Sequence, residues 1–238
     1  MPHFITWLHL SDLHTSKPKN GWRMNKILRL LPLDLAYLEK EHSLKPDFIC
    51  FTGDCAMGIN KGDQDKIMDK QFKDAALFLD IIRKTYRKEI PKSRVFIVPG
   101  NHDVNRNKSG DDQSRYLDEA KVDDINKLMA NNDYQWSRQM DRIKQYQLFL
   151  KAEGYHHLLD DQDVDHGIYT LSVELFPSFK VAISGFNTVW SSSKDKEKGR
   201  IWIGAEYQVG NIAKGEIKGD LRIALCHHPF GWLVEEEE

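Results

Sequence analysis

Cysteine is scarce in this sequence, with three residues in 238, at Cys50, Cys55 and Cys226. An odd number at irregular spacing supports no disulfide framework and suits a reducing, cytoplasmic setting. Proline (8) and glycine (15) are too few for a collagen-like or low-complexity chain. No apolar run approaches the ~20 residues of a membrane-spanning helix, so no membrane partner is expected. The opening segment, Met1 to Trp7, has no basic region ahead of a long apolar stretch and does not read as a secretory signal. An excess of one charge is missing as well. The 34 basic and 36 acidic residues leave a formal net charge of −2, and four of the acids form the run Glu235 to Glu238. That balance does not mark a bulk nucleic-acid binder. The local basic runs, Arg83-Lys84 with Arg87-Lys88 and Lys194, Lys196, Lys198 with Arg200, read as solvated faces and loops.

What is present is 40% hydrophobic and 29% charged residues, in a length ordinary for one α/β domain. The run Phe4 to Leu10, rich in β-branched and aromatic residues, predicts a buried strand. Ile27, Leu28, Leu31, Leu35 and Leu38 recur at helical spacing, with Pro32 expected to kink or break that helix. Asp47 to Thr52 predicts a second strand. Phe72, Ala75, Ala76, Leu79 and Ile82 place one face of a long helix on a core, and Arg94 to Val98 predicts a third strand. The polar stretch from about 105 to 165 has helical patterning and reads as a helical insertion or cap over the site. Strands follow at Ile168 to Leu175, Lys180 to Ser184 and Leu221 to Cys226, with a short helix around Ala205 to Ala213. Strands alternating with helices predict an α/β layered domain.

The apolar strands end in residues that bind metals. Asp12 and His14 follow the first, Asp54 the second, Asn101 and His102 the third, and His227 the last. In open α/β sheets the carboxyl ends of strands converge on a ligand crevice. Carboxylate, imidazole and amide oxygen together suit divalent first-row metals, while calcium or magnesium fits less well. The spacing of Asp12 and His14 lets both side chains leave one face. The two oxygens of Asp54 are enough to bridge two ions. Each cluster alone has an ordinary structural reading, as a hydrogen-bonded core histidine or a Gly-Asp turn. Their recurrence in order, each after an apolar strand, is specific.

The sequence resembles the calcineurin-like metallophosphoesterases, whose pattern is D-x-H, G-D, G-N-H-[DE], a histidine and G-H-x-H. Matching it are Asp12-Leu13-His14, Gly53-Asp54, Gly100-Asn101-His102-Asp103 and His227, spread from about Phe4 to Trp232. The resemblance implies a four-layer αββα sandwich, an α/β fold of two mixed β-sheets flanked by helices. It implies two divalent metal ions: manganese is favoured, with iron, zinc or nickel as alternatives. One ion would sit on Asp12 and His14 and the other on Asn101 and His227, with Asp54 bridging. His102 would act on the phosphate or leaving group as a catalytic acid, oriented by a second catalytic residue, Asp103.

Two departures from the pattern bear on function. Cys55-Ala56-Met57 stands after Gly53-Asp54 in place of the Asp-Arg-Gly of the Ser/Thr protein phosphatases, which disfavours that activity. The final G-H-x-H block is absent, so one metallophosphoesterase domain over residues 1–238, incomplete at its C-terminal end, is expected. A downstream domain or self-association are the expected macromolecular partners. The expected reaction is metal-dependent hydrolysis of a phosphoester, a phosphodiester of nucleic acid or nucleotide in preference to a monoester. Trp136, Tyr134 and Tyr155 are candidates to stack on bases, set against ordinary core packing. The alternative is a non-catalytic regulatory or scaffolding module of a larger protein. Cys55 and Cys226, beside two proposed ligands, read as buried small residues before they read as zinc ligands.

Overall fold

The computed structural model describes residues 4–15, 21–58, 63–108, 110–131, 134–159, 166–193, 197–214 and 218–237. Lys194 and Lys196 of the second basic run, and residues 160–165 at the end of the helical stretch, lie outside them.

Three parallel strands form the first sheet in the order β1 (Trp7–Leu10), β2 (Phe48–Thr52) and β3 (Val95–Val98). The crossovers are α1 (Gly21–His42) and α2 (Gln64–Lys84), as parallel strands require. Helix α2 opens on the Asp63 cap, whose carboxylate accepts from Lys66 N, and closes with Arg83 and Lys84 in its last turn. Met68, Phe72, Ala75, Leu79 and Ile82 line its buried stripe. Helix α1 runs through Pro32 without the break that is one of the two expectations there. The missing N–H and ring clash of proline are outweighed by packing. Leu35, after the proline, is buried in the core, and Leu28 and Leu31, before it, pack against that core.

After the helices α3 (Asp111–Glu119), α4 (Val122–Asn131), α5 (Tyr134–Asp141) and α6 (Lys144–Ala152), the second sheet contains β4 (Tyr169–Phe176), β5 (Phe179–Gly185) and β6 (Leu221–Leu225). β4 pairs antiparallel and β6 parallel to β5, with α7 (Ala205–Lys214) preceding β6. The architecture is therefore an α/β sandwich. The second sheet is mixed as expected, whereas the described strands of the first are all parallel because each is reached through a helix.

The two sheets share the main core. Phe48, Cys50 and Phe96 alternate with Ile49, Phe51 and Ile97, and the Phe96 ring lies 6.5 Å from that of Tyr169 on the second sheet. Helix α6 joins this core by stacking Phe149 on Phe72 of α2, with ring centres 5.0 Å apart. A second core holds Ile125, Met129, Trp136, Met140, Trp190 and Trp202. The described helices of the stretch from 105 to 165 thus contribute to both cores. Helices α3 to α5 pack with the segment after β5, and α6 returns to the sheets. Buried Arg142 ties the second core together, donating to Gln139 Oε1 and to the carbonyls of Trp190 and Ser192.

Candidate metal centre and active site

The loops that follow β1 and β2 are joined backbone to backbone. Asp12 N donates to Gly53 O, His14 N to Asp54 O and Thr15 N to Cys55 O. Gly53 (φ +92°) lies so close to its neighbours that an added Cβ would sit 2.6 Å from His227 Nδ1 and 2.7 Å from Gly100 Cα. A Cβ on Gly100 would come within 2.1 Å of both the Asp54 nitrogen and Oδ1. Glycine is required at both positions for the loops to meet. Asp12 (φ 56°), His14 (φ 47°) and Asp54 (φ 59°) all occupy the left-handed region. Asp and His tolerate it better than most residues, yet it remains strained, and such strain concentrates at functional sites.

Asp54 lies at the centre, only 2% exposed. Its Oδ2 is 3.5 Å from His14 Nε2, which is also 3.5 Å from Asp12 Oδ1. Its Oδ1 accepts from His102 N at 2.8 Å and lies 3.7 Å from His227 Nε2. His227 reaches across from the end of β6. Its Nδ1 donates to Thr52 O at 2.8 Å, while Nε2 approaches Asn101 Oδ1 to 2.9 Å. In the neutral ring, Nε2 is then a lone pair directed at the same space as the carboxamide oxygen. Two acceptors facing one another beside a buried carboxylate are the donor set that a divalent cation takes. The structure thus brings Asp12, His14, Asp54, Asn101 and His227 together, although they lie far apart in the chain. Among the described residues, one group is compact enough to hold a metal by its ligand atoms alone. It consists of His14, Asp54 and His102, with those atoms within 4.8 Å of one another. His102, expected to leave metal alone, therefore stands within reach of it.

The expected orienting role of Asp103 needs correction. Its buried carboxylate does not meet the His102 ring. It accepts from Ala56 N at 2.7 Å, Gly100 N at 2.8 Å and Cys55 N at 3.2 Å, pinning the loop after β2 to the loop after β3. Adjacent residues in a turn point apart, so sequence neighbourhood does not make a dyad. Burial, reinforced by the Asp54 charge, pushes Asp103 up to about 7 even though the three N–H donors favour its ionised form. The His102 ring is oriented by a backbone group, its Nδ1 donating to Met57 O at 2.7 Å.

His228 turns away from this cluster, with Nδ1 against Thr188 O at 3.1 Å, and burial drives its pKa down to about 3. The Cys55 thiol is pushed well above its usual range by burial and by the charges of Asp103 and Asp54. Trp136 and Tyr155 are buried core residues and unavailable to stack on a base, leaving Tyr134 exposed. His166 is likewise buried, between the rings of Trp136 and Tyr207. Sequence reasoning missed Gln71 and Thr15, which hold the loops from behind. Gln71 carried a readable signal, being polar on the apolar stripe of α2, whereas the Met57 carbonyl carried none.

The two-sheet sandwich thus gathers these carboxylate, imidazole and carboxamide groups at one place beside its strand ends. The family model of calcineurin-like phosphoesterases matches residues 5–233, and the chain belongs to that family. It is 27% identical over 242 residues to a metallophosphoesterase-like protein of Bacillus subtilis (strain 168), YydB. The alignment covers 98% of this chain and 44% of that protein, so the chain spans less than half of the relative's length. No described helix is long and apolar enough to cross a membrane.

Proposed function

We propose that this chain hydrolyses a phosphodiester, of a nucleotide or nucleic acid, in a cytoplasmic setting and with two divalent cations, manganese first among them. The observation that carries the reading is the two-sided disposition of Asp54. One oxygen faces His14, itself beside Asp12, and the other faces His227, itself beside Asn101. Asp12, His14 and Asp54 Oδ2 would hold one cation, and Asp54 Oδ1, Asn101 and His227 the other. Cations bound there supply Lewis acidity toward a phosphate ester and toward water.

The protein's own part is positional and acid–base. The welded loops fix the spacing of the donors before substrate arrives, so little reorganisation is needed during reaction. Because His102 Nδ1 donates to the Met57 carbonyl, Nε2 is the atom that carries a transferable proton. In its protonated form it gives that proton to the departing alcohol oxygen. Asp12 is exposed and His14 and His102 are partly so, an open aspect that suits an ester substituted on two oxygens.

Bis-p-nitrophenyl phosphate with added Mn²⁺ tests the reading, and chelator-sensitive release of nitrophenol is expected. A flat trace supports a non-catalytic module instead. His102→Ala should lose ~10²–10⁴-fold in kcat on esters with poor leaving groups while keeping its metal. If metal content, measured by emission spectroscopy, falls together with the rate, His102 is a ligand and its role as acid is wrong.

A further inference from the structure

Gln71 sits in the middle of α2 on the buried stripe, one position from Phe72 and three from Met68, and is 6% exposed. A carboxamide placed there is costly unless it is partnered. Its Oε1 accepts from Met57 N at 3.2 Å. Its main-chain carbonyl accepts from Thr15 Oγ1 at 2.8 Å, and Thr15 N donates to Cys55 O at 3.1 Å. One turn of α2 therefore braces the loops after both β1 and β2. The brace begins where Asp103 stops. Asp103 holds the N–H groups of Cys55 and Ala56, and Gln71 holds the next one, that of Met57. The Met57 carbonyl then accepts from His102 Nδ1. Gly58 follows at φ +59°, where an added Cβ would lie 3.0 Å from His102 O, so the loop turns directly against the residue it orients.

We infer that Gln71 is a positioning residue: its buried carboxamide fixes Met57, whose carbonyl sets the His102 ring in the orientation that delivers a proton. The inference rests on the reading of His102 as the acid. Without Gln71 the Met57 N–H loses its partner, the loop is free to shift, and the His102 ring shifts with it. A displacement of about an ångström at a proton donor can cost ~10²-fold in rate. A loss confined to proton delivery falls on substrates whose leaving group needs the proton. General destabilisation or metal loss falls on all substrates alike.

The test compares diphenyl phosphate, whose phenol leaves poorly, with bis-p-nitrophenyl phosphate, whose nitrophenol needs little help. It uses the full 238-residue chain loaded with Mn²⁺. Gln71→Met is expected to lower kcat about 10-fold on the first substrate and by less than about 3-fold on the second, with metal content unaltered. Gln71→Glu, which keeps an acceptor oxygen for Met57 N, should recover most of the loss. Should Gln71→Met fail to fold, Gln71→Asn, one methylene shorter, carries the same comparison with the same expected direction.

His102→Ala run alongside separates the two ways of being wrong. If it loses diphenyl phosphate selectively but the Gln71 variants lose both substrates equally, or neither, the inference falls and the acid role of His102 stands. If His102→Ala itself shows no selectivity, the acid role falls, and the inference falls with it.

Discussion

Strands β2 and β3 are buried along their whole lengths, while β1 and β6 alternate between exposed and half-buried residues. The carboxylates they carry divide in the same way. Asp54 and Asp103, from the loops after β2 and β3, are shut away from solvent, while Asn101 and His102 beside Asp103 are half-buried. Asp12, after β1, is exposed, whereas His14 and His227, also from the flanking strands, are half-buried. The loops after β2 and β3 touch backbone to backbone at Gly53 and Gly100 and are stitched by the Asp103 carboxylate. The flanking loops are held mainly by hydrogen bonds to the main chain, three from the β1 loop to the loop after β2 and one from His227 Nδ1 to Thr52 O, and their His14 and His227 rings stand 3.5 Å and 3.7 Å from the Asp54 carboxylate. The difference teaches a division of labour. The buried half fixes distances, and the flanking half gives solvent and substrate their access.

The contrast can be broken most severely at Gly100. Gly100→Ala puts a Cβ 2.1 Å from the Asp54 nitrogen. A loss above ~4 kcal/mol, or failure to fold, is expected in denaturant titration. Stability near that of the parent would show that the two loops are not packed as described. Next comes Asp54→Asn, which removes the charge shared by both donor sets and should cut kcat by ~10³-fold, more than His14→Ala on the flanking strand. The reverse order would argue against a carboxylate serving two sides.

The second core gives a milder contrast. Trp136→Ala should destabilise by about 3 kcal/mol through the cavity it leaves. Its metal content by emission spectroscopy should be unaltered, since Trp136 belongs to a core separate from the sheets. Tyr134→Ala, on an exposed ring in the same helix, should move stability by less than ~0.5 kcal/mol. A lowered affinity for a dinucleotide in that variant, read by fluorescence titration, would bring back a role for Tyr134 in stacking.

Much of this was legible in the residues, for physical reasons that differ from element to element. The strands were readable because short apolar runs such as Phe48 to Thr52 stop abruptly at Gly53-Asp54, where composition switches from burial to chemistry. The convergence of Asp12, His14, Asp54, Asn101 and His227 followed from their places at strand ends. The uninterrupted α1 was not readable, because tertiary packing around Leu28, Leu31 and Leu35 overrides the local preference of Pro32. Asp103 was misjudged because its proximity in sequence suggested a side-chain pair where the fold uses it to satisfy three backbone groups. The partner of His102 is a main-chain carbonyl, which every residue has and no residue type advertises. Trp136, Tyr155 and Tyr134 look alike as letters, and only packing separates the buried two from the exposed one.

The left-handed backbone at Asp12, His14 and Asp54 sets these positions against the rest of the chain under selection. Glycine would adopt those angles without the ~1–2 kcal/mol that an L side chain incurs. Screening variants for thermal resistance alone would therefore favour glycine at the exposed Asp12 above all, since buried Asp54 also accepts from His102 N, and the survivors would be sturdier and inert. A library intended to harden this protein should hold these three codons constant and take its gains elsewhere. A stability gain at any of them is a sign that function has been given up.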